Sequence, residues 1–304
     1  MVENNSLKVN IAFALLCVVW GTTYLGIDIA VDYIPPFMLS ALRHLIAGPF
    51  FLAYCFFYKK EKMPDKKTLL QLVTMGILLI VGGNAMVCWA EKTIPSGLTA
   101  VICSLSPMFI TVMSLFIFKE FKITYKIILG LLLGLLGVAL IFLKDLSVTL
   151  NEDLYFALAA LLIAILCWAL GSVLLKKNSI KTSIFMNIGW QMVFAGTINM
   201  VISYFFEDNS NLLHTEIKGI YALLYLVVAG SLIGYGCYLY VLNYYPPARV
   251  SMHTYINTII AVFVGWLIGG ERINEYIVLG TLIVLAGVLI VNKEYARLAE
   301  KNNN

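Results

Sequence analysis

Charged residues are scarce in this chain of 304 residues. Asp, Glu, Lys and Arg make up 12% of it, whereas an average soluble domain carries roughly 25%. Hydrophobic residues make up 61%, and the mean hydropathy is +0.89. This composition excludes a sizeable water-soluble domain. Because a membrane-spanning helix needs ~20 apolar residues, the chain has room for about ten such helices with short connections.

Sequence signatures of several chemistries are also missing. The chain has no GxxxxGK[ST] loop for ATP and no HExxH or GxSxG motif of a hydrolase. Its six cysteines lie in apolar runs without CxxC spacing, which predicts buried free thiols. The net charge of +4 comes without a basic block interleaved with aromatic residues, so no nucleic acid is expected. We expect no metal, no cofactor and no ATPase subunit.

Long apolar runs predict ten membrane-spanning helices. Open sheets would leave backbone groups unsatisfied in the bilayer, so the expected fold class is all-α. Connections that contain proline or acidic residues separate the runs. The predicted spans are residues 9–31, 37–58, 68–90, 95–118, 124–143, 154–174, 184–206, 219–242, 248–269 and 276–293.

The distribution of Lys and Arg predicts the orientation of these helices. Most of them, among them the five lysines of residues 59–67, fall on the side that holds both chain ends. The opposite side has only Lys92, Lys144, Lys218 and Arg272. Cytoplasmic loops are enriched in positive residues. The chain is therefore predicted to be a multi-pass protein of the plasma (inner) membrane with both termini in the cytoplasm.

An internal repeat divides the chain into two halves. Trp20 recurs as Trp168, and Gly, Pro and Glu residues recur at a similar offset of about 150 residues. Each half has five helices, an odd number, so the second half enters the membrane upside down. Inverted repeats are typical of secondary transporters with a site near the middle of the membrane. We predict a first repeat at 9–143, a second at 154–293 and a cytoplasmic tail at 294–304.

Short motifs at matching places in both halves resemble those of a known family. Helix 1 carries Trp20-Gly21-Thr22-Thr23-Tyr24, which is similar to the opening motif of that family. Further matching segments are Ala90-Glu91-Lys92, Pro95-Ser96-Gly97, Ser106-Pro107, Glu120, Pro246, Arg249 and Gly270-Glu271-Arg272. Over essentially its whole length, the sequence resembles two EamA units of the drug/metabolite transporter (DMT) superfamily.

The resemblance implies ten helices around a central cavity and the export or exchange of small metabolites, amino acids among them. Many members of that family have a proline in the middle of a helix in both halves. Here Pro107 in helix 4 is matched by Thr258 in helix 9. The kink that a proline provides is therefore not expected in helix 9.

Ionisable residues inside the apolar runs are the first functional candidates, because an unpaired charge in the bilayer is costly. Arg43 lies within helix 2, Asp28 lies near the outer end of helix 1, and Glu91 lies at the end of helix 3. We hypothesise that Asp28 or Glu91 pairs with Arg43, either beside the transport pathway or as a static pair between helices. Asp28, Glu91 and His253 are the candidates for coupling to an ion or a proton.

Polar and aromatic residues provide a candidate substrate site, because a mostly apolar pocket with a few fixed donors and acceptors suits a small solute. Gln191 occupies the repeat position of Arg43, and it fits either this site or an interhelical hydrogen bond. The predicted substrate-binding residues are Trp20, Tyr24, Arg43, Asn84, Trp89, Ser106, Trp168, Gln191, Tyr235, Tyr255 and Asn257.

Other residues are predicted to have a structural or gating role. Glu120 and Glu271 lie at matching helix ends on opposite faces of the membrane, and Pro107 interrupts helix 4. GxxxG spacings begin at Gly130 and Gly230 and again in helix 9. Such spacings permit close helix approach, either within the bundle or in a homodimer.

The sequence thus predicts a secondary transporter, a permease that exports small organic metabolites such as amino acids or drug-like solutes. It would work by alternating access around a central cavity, with a small-molecule substrate and the lipid bilayer as partners. An intramembrane enzyme would need clustered ionisable residues, which the sequence lacks. A channel or a non-transporting membrane sensor is the other alternative, and the inverted repeat argues against it only by analogy of architecture.

Overall fold

In a computed structural model of the chain, the described residues are 2–118, 124–143, 152–178, 180 and 182–303. Within these ranges the chain is helical and contains no strand. Among the described residues, nine helices are long and apolar enough to cross a membrane, and one further apolar helix is shorter. The predicted all-α fold with ten helices is confirmed. The helices are α1 (Val2–Val31), α2 (Pro36–Tyr58), α3 (Lys66–Ala90), α4 (Ser96–Phe118), α5 (Tyr125–Leu143), α6 (Glu152–Asn178), α7 (Ile184–Phe206), α8 (Ile217–Tyr244), α9 (Pro247–Leu267) and α10 (Glu275–Asn303).

Because the helices alternate in direction, both chain ends lie at one end of the bundle. We call this end the terminal face and the other, which holds Pro36 and Ser96 at the starts of α2 and α4, the far face. Helix α10 continues to Asn303, beyond the predicted end of its span at residue 293. In this extension Glu294 is buried and pairs with Lys126 at 3.4 Å and with Arg297 at 2.8 Å.

The two halves pack together through helices that occupy equivalent places in the repeats. Helix α2 packs along α7, and α5 packs along α10. A Cβ added at Gly130 would lie 2.6 Å from the carbonyl oxygen of Gly287, and one added at Gly137 would lie 2.7 Å from that of Gly280. These glycines therefore permit close contact within the bundle. A homodimer stays a prediction.

Four helices have an irregular backbone, α3, α4 and α8 in their central parts and α9 near its start. Helix α3 is π-helical over Ile77–Ala85, and α8 is π-helical over Leu226–Tyr235, the corresponding part of the second half. Helices α4 and α9 are each broken into two segments. Irregular backbone at membrane depth is tolerated where it is buried in protein or lines a cavity. All four irregular regions border the central cavity.

Different residues accommodate the two breaks. In α4, Pro107 has no N–H to donate to the carbonyl of Cys103, and the Ser106 hydroxyl donates to that carbonyl instead at 2.6 Å. Helix α9 breaks without a proline, and there the Ser251 hydroxyl donates to the carbonyl of Ala248 at 2.8 Å. The segment His253–Leu267 runs through Thr258 without interruption.

Candidate substrate site

A cavity of about 110 Å³ lies in the centre of the bundle, between the two halves. It is smaller than a ~150 Å³ protein cavity that holds benzene, so in this conformation it suits only a small solute. Side chains of α1 to α4, α6, α8 and α9 line it. The predicted substrate-binding residues that line the cavity are Trp20, Tyr24, Arg43, Asn84, Ser106, Trp168, Tyr235 and Asn257. His253, predicted as a coupling candidate, lines it too.

An aromatic cluster bounds the cavity toward the terminal face. The ring centroid of Trp20 lies 5.4 Å from that of Trp168, 5.3 Å from that of Tyr238 and 5.2 Å from that of His253. Tyr238 is only 1% exposed, and its hydroxyl lies 2.6 Å from that of Ser172. The cluster thus joins side chains of α1, α6, α8 and α9 next to the cavity.

Glycines on two π-helical segments provide the space for this cluster. Trp20 packs directly on Gly234, where an added Cβ would collide with the indole nitrogen, and that nitrogen donates to the carbonyl of Gly230 at 3.2 Å. In the other half, Trp168 packs on Gly83. The Gly230-x-x-x-Gly234 spacing thus admits a side chain from α1.

Arg43 is 3% exposed, and its guanidinium reaches across to α8. Its Nε donates to the Ser231 hydroxyl at 3.1 Å, and its Nη1 donates to Oδ1 of Asn84 at 3.4 Å. The hypothesised ion pair with Asp28 or Glu91 is not formed between these residues, all three of which the structure describes. The hydrogen bonds of the guanidinium go instead to Ser231 on α8 and to Asn84 on α3.

A polar network around Arg43 includes residues that the sequence reasoning missed. Asn199 donates from Nδ2 to the Ser40 hydroxyl at 2.9 Å, which in turn donates to Oδ1 of Asn84 at 3.4 Å. His44 lines the cavity, and its Nδ1–H donates to the backbone carbonyl of Ser40 at 2.6 Å. A signal was present in the sequence, because Ser40 and His44 lie one turn apart and flank Arg43 within an apolar run.

Gln191 lies beside the site and does not line the cavity. It is fully buried, and its Oε1 accepts a hydrogen bond from the Tyr235 hydroxyl at 2.6 Å. Its Nε2 donates to Asn187, one turn earlier in α7. Gln191 therefore orients Tyr235, which itself lines the cavity.

Two other predicted binding residues also lie outside the cavity lining. Trp89 packs against the apolar cluster that includes Leu161 of α6. The Tyr255 hydroxyl accepts a hydrogen bond from Nδ2 of Asn292 at 2.7 Å, which joins α9 to α10. Both side chains thus take part in contacts between helices.

The residues predicted to have a structural or gating role are Glu271, Pro107 and Glu120, and the structure describes the first two. Glu271 accepts hydrogen bonds from the Ser96 hydroxyl at 2.5 Å and from the Gly97 N–H at 3.1 Å, so it caps the first turn of α4. Pro107 begins the second segment of α4 next to the cavity-lining Ser106. Glu120 lies outside the described residues.

A ten-helix bundle with a central cavity between two similar halves is what the resemblance implied. The sequence profile of the EamA-like transporter family matches residues 7–143 and 155–293. The chain belongs to this family. It is therefore a multi-pass membrane transporter of the DMT superfamily, with a small-molecule substrate, and it is not an enzyme.

Several bacterial transporters are similar to this chain along almost its full length. It is 32% identical over 288 residues to the uncharacterized inner membrane transporter YedA of Escherichia coli (strain K12), covering 93% of this chain and 90% of that protein. It is 27% identical over 291 residues to the uncharacterized transporter YoaV of Bacillus subtilis (strain 168), covering 95% and 98%. It is 24% identical over 293 residues to a probable amino-acid metabolite efflux pump of Escherichia coli (strain K12), covering 94% and 95%.

A solved structure also matches this EamA-like fold. A chain described only as "Crystal structure of protein" superposes with a TM-score of 0.69 and 14% sequence identity. The match covers 95% of this chain and 99% of that one. At this level of identity the likeness shows a shared fold.

Proposed function

We propose that this transporter exports small amino-acid-like metabolites across the inner membrane by alternating access around the central cavity. Its two repeats, at 9–143 and 154–293, would form the two halves that move relative to each other. Both termini and the tail at 294–304 would lie in the cytoplasm, as the distribution of Lys and Arg predicts. The terminal face is then the cytoplasmic face.

The buried guanidinium of Arg43 beside an aromatic wall is the observation that carries the proposal. Ser231 and Asn84 hold Nε and Nη1, while no described carboxylate forms an ion pair with the guanidinium to supply a negative charge. A solute carboxylate would supply that charge, and Arg binds carboxylates with strong, directional hydrogen bonds. Trp20 and Trp168 would pack against the apolar part of the solute. The substrate class that fits is therefore a small solute with a carboxylate and an apolar body.

The relatives support the choice of amino-acid metabolites as the first solutes to test. One relative along nearly the whole chain is named a probable amino-acid metabolite efflux pump. That name also favours export. The irregular segments of α3, α4, α8 and α9 around the cavity support a mechanism in which these parts change conformation, because broken helices surround the sites of many secondary transporters.

Flux through reconstituted protein tests this proposal. The purified transporter is placed in liposomes, and efflux of each radiolabelled standard amino acid is measured. Small carboxylates without an amino group and small amines without a carboxylate are measured in the same way. We expect saturable flux of solutes that carry a carboxylate, and loss of that flux in Arg43→Ala. Arg43→Lys keeps the charge without the planar fork and should transport with reduced affinity.

A matched control is Arg272→Ala, which removes an exposed arginine of the far face. It should fold and transport like the wild type. Normal carboxylate flux in a folded Arg43→Ala variant would refute the role of Arg43. Saturable flux of amines but not of carboxylates would refute the proposed substrate class, and flux that never saturates would favour a channel.

A further inference from the structure

His253 has a buried ring nitrogen without a hydrogen-bond partner among the described residues. The residue begins the second segment of α9, directly after the break, and it lines the central cavity. It is 2% exposed, and the unpartnered atom is Nε2. The large majority of buried polar atoms in proteins have a partner. An exception in the wall of a cavity is therefore a candidate contact for a ligand.

The orientation of the Asn257 amide determines which nitrogen of His253 carries the proton. Nδ2 of Asn257 lies 3.0 Å from the carbonyl oxygen of His253 and 2.6 Å from that of Cys17, so it donates to both. Oδ1 of Asn257 then lies 3.0 Å from Nδ1 of His253 and accepts its N–H. A neutral imidazole has one ring proton. With that proton on Nδ1, Nε2 is a hydrogen-bond acceptor.

The two aromatic donors beside the ring of His253 are engaged elsewhere. The ring packs against Trp20 and Tyr238, with centroid distances of 5.2 and 6.0 Å. The indole N–H of Trp20 donates to the carbonyl of Gly230. The Ser172 hydroxyl donates to a backbone carbonyl at 2.6 Å, and it therefore accepts from the Tyr238 hydroxyl. Nε2 of His253 is thus left to accept a hydrogen bond from a bound solute.

His253 and Arg43 line the same small cavity. The indole of Trp20 contacts the ring of His253 and bonds to Gly230. The guanidinium of Arg43 packs on the same glycine, where an added Cβ would collide with Nη2. The cavity therefore offers donors on Arg43 and an acceptor on His253. Because its volume is about 110 Å³, a solute that reaches both carries its carboxylate and its own donor close together, as an α-amino acid does.

We propose that Nε2 of His253 accepts a hydrogen bond from the amino group of the bound solute, so that the transporter selects amino acids over carboxylates without that group. The rings of Trp20 and Tyr238 beside His253 favour a cationic donor, the ammonium group, over a hydroxyl. A site that hydrogen-bonds a polar group rejects analogues without it, because its own buried group is then unpaired. This inference rests on the proposed transport function, and it identifies the second group by which the solute is recognised.

Nitrogen NMR of the purified protein, with isotope-labelled histidine and arginine, tests the acceptor directly. The chain has three histidines, so the variants His44→Gln and His214→Gln assign the signals of His253 by elimination. Without solute, Nε2 of His253 should have the chemical shift of an unprotonated ring nitrogen. Standard amino acids should shift this signal. The matched carboxylates, which have hydrogen in place of the amino group, should not.

The NMR outcomes separate this inference from the proposed function. A protonated Nε2 in the solute-free protein would overturn the inference, whatever the transport measurements show. Amino acids that shift the guanidinium signal of Arg43, assigned with Arg43→Lys, but leave Nε2 of His253 unchanged would also overturn it, while the proposed function would stand. Amino acids that shift neither signal would contradict the proposed function itself.

Competition against amino-acid flux in liposomes tests the selectivity. In the wild type, an amino acid should compete with an affinity about tenfold or more above that of its matched carboxylate. His253→Phe keeps an aromatic ring without the acceptor, so this ratio should fall to about one. His253→Gln keeps an acceptor oxygen and should retain part of the preference.

The matched control is His214→Gln, which replaces an exposed histidine of the far face and should keep the ratio of the wild type. Slower flux in His253→Phe with an unchanged ratio would show a structural role and overturn the inference. If His253→Phe does not fold, the NMR comparison decides, because it leaves His253 in place.

Discussion

Trp20 and Trp168, which occupy equivalent positions in the two repeats, meet edge to face at the cavity with their ring centroids 5.4 Å apart. Each packs on a glycine of a π-helical segment from the other half, Trp20 on Gly234 and Trp168 on Gly83. The same local arrangement is therefore built twice. Because each tryptophan contacts the opposite half, a movement of one half against the other changes this contact.

Replacing Gly234 by alanine should disrupt the site. The added Cβ would collide with the indole of Trp20, and overpacking of this kind costs about 1–3 kcal/mol. We expect a lower unfolding temperature and a reduced solute flux, because the Trp20 indole must shift from its place at the cavity. Flux in liposomes and thermal unfolding in detergent measure the effect.

Gly236→Ala is the matched control on the same helix. Its added Cβ would meet only the Phe51 ring, at 3.8 Å, which is an ordinary contact. It should leave flux unchanged. Equal flux in both alanine variants would contradict the packing argument.

Exchanging the charges of Asp28 and Arg43 should not restore transport. Arg43 donates to Ser231 and Asn84, and it forms no ion pair with Asp28 in the described structure. The double variant Asp28→Arg, Arg43→Asp would place an aspartate beside the Ser231 hydroxyl and the Asn84 amide, with no cation to pair with it. We expect no flux from this variant or from Arg43→Asp alone. Recovery of flux in the double variant would show instead that the two residues form a static pair.

Gln191 and Tyr235 should act as one unit. The Tyr235 hydroxyl donates to Oε1 of Gln191 at 2.6 Å, so removing either partner frees the ring of Tyr235 to move. Gln191→Leu and Tyr235→Phe should each weaken solute binding, and the double variant should be no weaker than the worse single one. KM values from flux measurements of the wild type, both single variants and the double variant provide this double-mutant cycle. Effects that add fully would indicate that the two side chains act independently.

Glu271 should contribute to stability through the start of α4. Its carboxylate accepts hydrogen bonds from Ser96 and Gly97, and loss of a helix N-terminal cap costs about 0.5–2 kcal/mol. Glu271→Gln should therefore lower the unfolding temperature in detergent. Asp32→Asn, at an exposed carboxylate of the same face, is the control. A Glu271→Gln variant as stable as this control would exclude the capping role.

Local features of the sequence were sufficient to predict the helices. The ten apolar runs correspond to ten helices, because each run is long enough to be recognised without knowing its neighbours. Resemblance of short motifs also indicated the family correctly. The sequence could not reveal where α9 breaks, because hydroxyl groups at Ser251 and Thr254 satisfy backbone carbonyls there and no proline marks the position.

Composition and run length thus determined by themselves the ten membrane-spanning helices, and the resemblance of short motifs indicated the EamA-like family. The tertiary structure alone decided which polar side chains face the cavity. It turns Gln191 and Tyr255 toward neighbouring helices, directs Arg43 to α8 and leaves Glu91 without a partner. The physical reason is that helical periodicity fixes only which side chains share a face of one helix, whereas the contacts across the bundle depend on how the neighbouring helices pack against that face.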